Sequence, residues 1–157
     1  AANARWETTA LNKVVKVTEG YPFFLQEWGF QAWNAAPDGV IPASIIPSVN
    51  NAAIANLDKT FFKGRPDRMT DREQDYVRAM ADLGTGSHRS GEIAQEMGIT
   101  ISAAAPIRAA LIAKGMIYSP SYGETAFTVP MFDGYLRRTV LNLARKPAAK
   151  KIKKKKS

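Results

Sequence analysis

The succession of residue patterns between Thr70 and Pro130 limits what this chain can fold into more than any other feature of its sequence. "TDRE" puts Thr70 three residues ahead of Glu73. That is the spacing of a capping box, in which each side chain accepts the other residue's orphan backbone N–H. Tyr76, Val77 and Met80 then recur at helical spacing as far as about Leu83. "GTGSHRSG" reads as a loop. Ser90 is placed to cap a short helix, "GEIAQEM", which Gly98 ends. "ITISAAAPIRAALIAKG" predicts another helix, stopped at Gly115, with Pro106 expected to kink it or shift its start. "MIYSP" and "TAFTVP" are short β-prone runs joined by a turn at Ser121–Glu124. "MFDGYLRRTVLNLAR" returns to helical spacing.

Helix, helix, turn, helix and β-hairpin is the order of a winged helix-turn-helix. Ile93 and Met97 are expected to pack from the first helix of the motif, and Ile107 and Leu111 from the second, with Gly98 in the turn. Upstream the pattern is helical throughout. In "ETTALNKVVKV", Leu11, Val14 and Val15 suggest an inner face. Gly20 can take a positive φ and close that helix, and Pro22 suits the first turn of the next. In "PFFLQEWGFQAW", Phe24, Leu25, Trp28 and Ala32 share one side. Phe23, Phe30 and Trp33 widen it, which predicts burial on more than one side. "AAPDGVIP" is a turn-rich break. A third helix is expected from about Ser44 or Pro47 to Phe62, with Ile46, Ala53, Leu57 and Phe61 inward.

The expected architecture is therefore mainly α. It comprises a helical bundle over residues 1–62, a linker over 63–68 ("KGRPDR"), a winged-helix domain over 69–138, and a terminal helix and basic tail over 139–157. The net charge of +8 resides in the tail, because residues 145–157 carry eight Lys or Arg and no acid. Removing those eight from the 22 basic side chains leaves 14, against 14 acids in the body. Such a tail should be disordered, and Lys150, Lys151, Lys153 and Lys154 are its candidate contacts to nucleic acid through counterion release. A solubility tail without a specific partner is the other reading. The chain has no Cys, which removes disulfides, thiolate metal sites and Cys nucleophiles. That composition fits a cytoplasmic chain. No run approaches the ~18 apolar residues of a membrane span, and no membrane partner is expected.

Two segments carry a resemblance. "TEGYPFFLQEWGFQAW" resembles the lid that follows the nucleotide-binding core in AAA+ and STAND-type ATPases, the archaeal and bacterial "ATP-binding proteins". "TDREQDYVRAMADLG…SGEIAQEMGIT…IRAALIAKGMIYSPSYGETAFTVPMFDGYLRR" looks like the winged-helix domain after that lid. Together they cover roughly residues 7–138. The resemblance implies that Gly20, Tyr21 and Pro22 form one wall of an adenine pocket for ATP or ADP. The flat, donor-free Pro and a Gly that allows close backbone approach suit that role. The plainer reading, a Gly that ends one helix and a Pro that starts the next, is compatible with it.

The chain departs from the family in lacking G-x-x-x-x-G-K-[ST] and a strand ending in paired acids. The resemblance thus implies the C-terminal regulatory part of a longer ATPase, which needs an N-terminal nucleotide-binding core as its partner. Alone it is expected to be no enzyme and to bind ATP weakly. The alternative is a free-standing winged-helix DNA-binding regulator. For duplex DNA the candidates in the body are Ser102, Arg108, Lys114 and Tyr122, a poor set for base readout, so a protein partner is equally open. His88 is the one histidine and has no ligand-spaced partner, so no metal site is expected.

Overall fold

The chain is described here by a computed structural model covering residues 4–36 and 38–144, with side chains to Thr139. It is mainly α: the described residues form seven helices and a small antiparallel three-stranded sheet near the C-terminal end. The basic-tail lysines 150, 151, 153 and 154 lie outside the described residues.

The N-terminal part contains α1 (Thr8–Thr18), α2 (Pro22–Ala35) and α3 (Ile46–Leu57). Two short strands, β1 (Arg5–Trp6) and β2 (Val40–Ile41), which like the later strand at His88–Arg89 are not foreseen in the sequence, pair in parallel and tie the entry of α1 to the segment before α3. Glu7 reinforces that tie, its Oε2 accepting the Ala43 N–H at 2.9 Å. Pro22 stands in the first turn of α2 and Pro47 in the first turn of α3, where a missing N–H costs nothing. The buried Trp28 donates from Nε1 to Asn50 Oδ1 at 2.7 Å, so α2 is locked to α3 by a bond that also satisfies its indole.

The third helix does not run uniformly to Phe62. After Leu57 the chain opens into a π turn over Asp58–Phe62. Thr60 helps it open, since its hydroxyl donates back to the Asn56 carbonyl at 2.8 Å. One extra residue per turn moves the inward position from Phe61 to Phe62, which is buried, while Phe61 goes to the rim.

The C-terminal part begins with α4 (Asp71–Asp82), whose capping box forms as the sequence suggests: Thr70 N–H to Glu73 Oε2 at 2.8 Å and Glu73 N–H to Thr70 Oγ1 at 3.3 Å. β3 (His88–Arg89), α5 (Ser90–Glu96), α6 (Ile101–Ala113), β4 (Ile117–Tyr118), β5 (Glu124–Phe127) and α7 (Phe132–Ala144) follow. The axis bends by 108° between α5 and α6. Gly98, at φ 67°, makes that turn without strain. The sheet order is β3–β5–β4, with Ile117 opposite Phe127 and His88 opposite Thr125. Ile93 and Leu111 are buried in the core, and Met97 and Ile107 pack at its edge.

Several sequence expectations are corrected. On α1 the buried strip is Ala10, Val14 and Thr18, while Leu11 and Val15 are exposed; Thr18 tolerates burial because its hydroxyl donates to the Val14 carbonyl at 2.7 Å. On α2 the second apolar side is not buried: Phe23, Phe30 and Trp33 are 48%, 61% and 40% exposed. Ser90 is no N-cap. The Arg89 N–H is taken by Glu92 Oε2 at 2.9 Å, and the Ser90 hydroxyl reaches across to the Gly123 carbonyl. Pro106 neither restarts nor ends α6, which runs through it from Ile101. The terminal helix starts at Phe132 and so crosses the expected boundary at 138/139.

Segment 63–68 is pinned on several sides. Pro66–Arg68 form a 3-10 turn, Gln74 Nε2 donates to the Pro66 and Met69 carbonyls, and Lys114 Nζ donates to the Arg68 carbonyl. Beside it, Phe62 stacks on Phe132 and Tyr135 with centroids 5.7 and 5.3 Å away, and Asp58 receives two N–H groups of Arg138 at 2.9 and 2.7 Å. Phe62→Ala should lower unfolding free energy by about 3–5 kcal/mol, the usual cost of emptying a buried aromatic position. Urea unfolding followed by circular dichroism measures it, and a loss below about 1 kcal/mol would show that the seam is not a structural joint.

Candidate functional site

The turn between α1 and α2 is built from two consecutive left-handed residues, Glu19 at φ 51° and Gly20 at φ 71°. The Gly20 N–H donates to the Val15 carbonyl at 3.2 Å and the Tyr21 N–H to the Thr18 carbonyl at 3.0 Å. A Cβ on Gly20 would meet nothing within 4 Å, so this stretch of backbone faces open space. Tyr21 is half-buried. Its ring lies 4.8 Å from Phe24 and 6.4 Å from Phe61. Gly20, Tyr21 and Pro22 thus stand together at the rim of an aromatic cluster.

A seam of rings starts there. Tyr21 meets Phe24, Phe24 meets Phe62 at 5.8 Å, Phe62 meets Phe132 at 5.7 Å, and Phe132 meets Phe127 of β5 at 5.5 Å. The turn is therefore in packed contact, ring by ring, with the β4–β5 hairpin. Close-packed interiors transmit displacement because they have little compressibility. A groove of about 740 Å³ runs alongside, between the end of α1 and the hairpin, lined by Val17, Glu19, Tyr118, Phe127, Val129 and Met131 among others. Glu19 reaches it, but Gly20, Tyr21 and Pro22 do not line it.

The candidate DNA contacts are scattered and largely engaged. Arg108 donates from Nε to Thr125 Oγ1 at 2.9 Å and from Nη2 to the Glu124 carbonyl at 3.0 Å, fastening α6 to β5. Lys114 Nζ lies 2.6 Å from Glu73 Oε2 and 3.1 Å from the Arg68 carbonyl, fastening the end of α6 to the start of α4. Ser102 is exposed near the start of α6. Tyr122 is fully exposed at the tip of the hairpin. The outward face of α6 presents Ile101, Ala105, Ala109 and Ile112 and has no free cation of its own. His88 Nε2 lies 3.0 Å from the Gly84 carbonyl, to which it donates. Among the described residues no three or more His, Cys, Asp or Glu side chains come together as a metal site would need, and no single helix is long and apolar enough to cross a membrane.

Arg65 lies in "KGRPDR", the segment that reads from sequence as a linker. Its guanidinium carbon sits 4.5 Å from the Phe61 ring centroid. The available signal was the Phe61–Arg65 spacing of four at the end of a helix, a cation–π spacing. Burial holds the Arg65 pKa below its usual value, Tyr21 opposes that shift, and Arg68 adds to it.

Residues 59–136 are similar to the family described as a domain of unknown function, DUF8462. The match starts inside the π turn and ends in α7, so it takes in Phe61, Phe62 and Arg65 but not Gly20–Pro22. No curated protein and no solved structure matches the chain.

Glu73 has its pKa lowered, first by the Lys114 hydrogen bond and then by the Thr70 N–H. Its stabilising effect is therefore present above the unfolded-state value of about 4.3 and is lost as pH falls through the lower folded value. Glu73→Gln should have a lower urea midpoint than the wild type at pH 7. The gap should close as pH drops below about 4, and a gap independent of pH would refute the ion-pair assignment.

Proposed function

We propose that this chain is the C-terminal regulatory part of an AAA+/STAND-type ATPase, in which Gly20–Pro22 contacts the adenine of ATP or ADP and a winged helix reports that contact to a partner. The observation that carries the reading is the ring-by-ring seam from Tyr21 to Phe127. It gives a lid-like turn a packed mechanical connection to the hairpin of the second module. The order α4, β3, α5, α6, β4, β5, the 108° bend and the β3–β5–β4 sheet support the winged-helix reading of that module. The open backbone at Gly20 supports the approach of a ligand. The chain supplies no phosphate loop, so the nucleotide-binding core is its required partner and catalysis belongs to that core. Pro22→Ala in the longer protein should weaken nucleotide binding about tenfold, roughly 1.4 kcal/mol. Unchanged affinity by isothermal titration would end the adenine-contact reading.

The partner of the winged helix is better read as a protein than as a DNA sequence. Arg108 and Lys114 are each tied into the fold by two hydrogen bonds, and the outward face of α6 is apolar. Whatever DNA affinity the chain has then comes from the tail, without sequence preference. Fluorescence anisotropy on duplex DNA should show binding by residues 1–157 that weakens steeply with salt, and none by residues 1–144. Sequence-selective binding by the shorter chain would favour the stand-alone regulator instead.

A further inference from the structure

Two hollows lie along α1. One, of about 400 Å³, sits between α1 and the start of α3 and is lined by Lys13, Lys16, Val17, Ile46, Pro47 and Asn50. The other is the groove of about 740 Å³ beside the β4–β5 hairpin. Lys16 and Val17 line both, so the two meet at the helix. Lys13, Lys16 and Val17 are spaced i, i+3, i+4 and share one flank of α1. We infer that this trough binds an amphipathic carboxylate, with its head at the α3 end and an apolar chain lying toward the hairpin. The site lies outside the Gly20–Pro22 turn and does not depend on what that turn contacts.

The polar side-chain groups left to the smaller hollow are donors. An indole N–H can only donate, so the 2.7 Å bond from Trp28 Nε1 to Asn50 Oδ1 fixes which way the amide faces. The oxygen is taken, and the Asn50 –NH₂ is the half that remains. Lys13 and Lys16 are exposed and enter no ion pair among the described residues. The rest of the lining, Val17, Ile46 and Pro47, is apolar. Two ammonium groups and an amide over an apolar floor match a carboxylate, whose oxygens only accept.

The larger groove has the opposite character. Tyr118, Phe127, Val129 and Met131 give it an apolar wall. Of its two acids, Asp133 is paired with Arg137, and Glu19 repels a carboxylate. Charge therefore sets the direction of the ligand, head away from Glu19 and chain along the wall. Met131 holds a left-handed φ of 67°, a strained conformation for a residue with a Cβ, and such strain collects at ligand sites.

The test is a series of ¹H–¹⁵N spectra of the labelled full chain, titrated with sodium decanoate, sodium octanoate, sodium acetate, 1-decanol and decyltrimethylammonium, each below the concentration at which it aggregates. Decanoate should shift the Asn50 –NH₂, the Trp28 indole N–H and the Val17 and Tyr118 amides together and saturably. It should bind about 15-fold more tightly than octanoate, the gain from burying two more methylenes. Acetate, decanol and the ammonium surfactant should each bind at least about tenfold more weakly than decanoate. Lys13→Gln with Lys16→Gln, both at exposed positions, should weaken decanoate about tenfold and leave decanol unchanged. Tyr118→Ser should reduce the gain from lengthening the chain. No response to decanoate, or one confined to residues 145–157, overturns the site. Decanoate binding that survives the double substitution overturns it too, because the lysines then hold no head group. Equal binding of decanol or of the ammonium surfactant reduces the trough to an unselective apolar surface, and equal binding of acetate removes the chain; either result overturns the inference.

Discussion

Phe62 touches Phe24, Phe132 and Tyr135, and the two halves of the chain meet at that ring. It reaches this position only because the backbone widens into a π turn after Leu57. The extra residue has opposite effects on two neighbouring phenylalanines. Phe62 becomes core, and Phe61 becomes a rim ring on which Phe23 and Arg65 lean. The bidentate Asp58–Arg138 pair, from the same π turn to α7, fixes the joint's orientation as well as its contact.

That joint governs how the functional elements relate. The Gly20–Pro22 turn is local in origin, made by a left-handed pair and a helix-starting proline. It gains consequence from its place at the end of the seam. The C-terminal module is held differently, by polar ties: Arg108 from α6 to β5, Lys114 from α6 to Glu73 at the start of α4, and Arg137 Nη1 to the Ala81 carbonyl at 2.7 Å. Cations that would suit DNA on a freer helix serve instead to hold the module together. The surface left on α6 is apolar, and this is the physical ground for favouring a protein partner.

Much of the architecture was legible in the chain. Local rules sufficed for the Thr70–Glu73 capping box, the turns at Gly20 and Gly98, the prolines at helix starts and the β4–β5 hairpin, because each depends on residues within a few positions of one another. Faces were less legible. Leu11 and Val15 have the same spacing as a buried strip would, and Phe23, Phe30 and Trp33 are as apolar as any core residue, yet all five are exposed. Periodicity tells which residues share a side of a helix but not whether another element covers that side.

The sequence by itself determined the helical character, the order of the helices and of the β4–β5 hairpin after Thr70, the conformation of the Gly20–Pro22 turn and the concentration of positive charge at the end of the chain. These follow from backbone sterics, capping chemistry and composition, all of which act locally. Only the tertiary structure decided that Phe62 rather than Phe61 is the joint, that Arg108 and Lys114 are bound within the fold, that β1 and β2 pair, and that His88–Arg89 form a third strand against β5. Each depends on residues brought together from distant positions, and a one-residue widening of a helix redirects every side chain after it in a way no local pattern records.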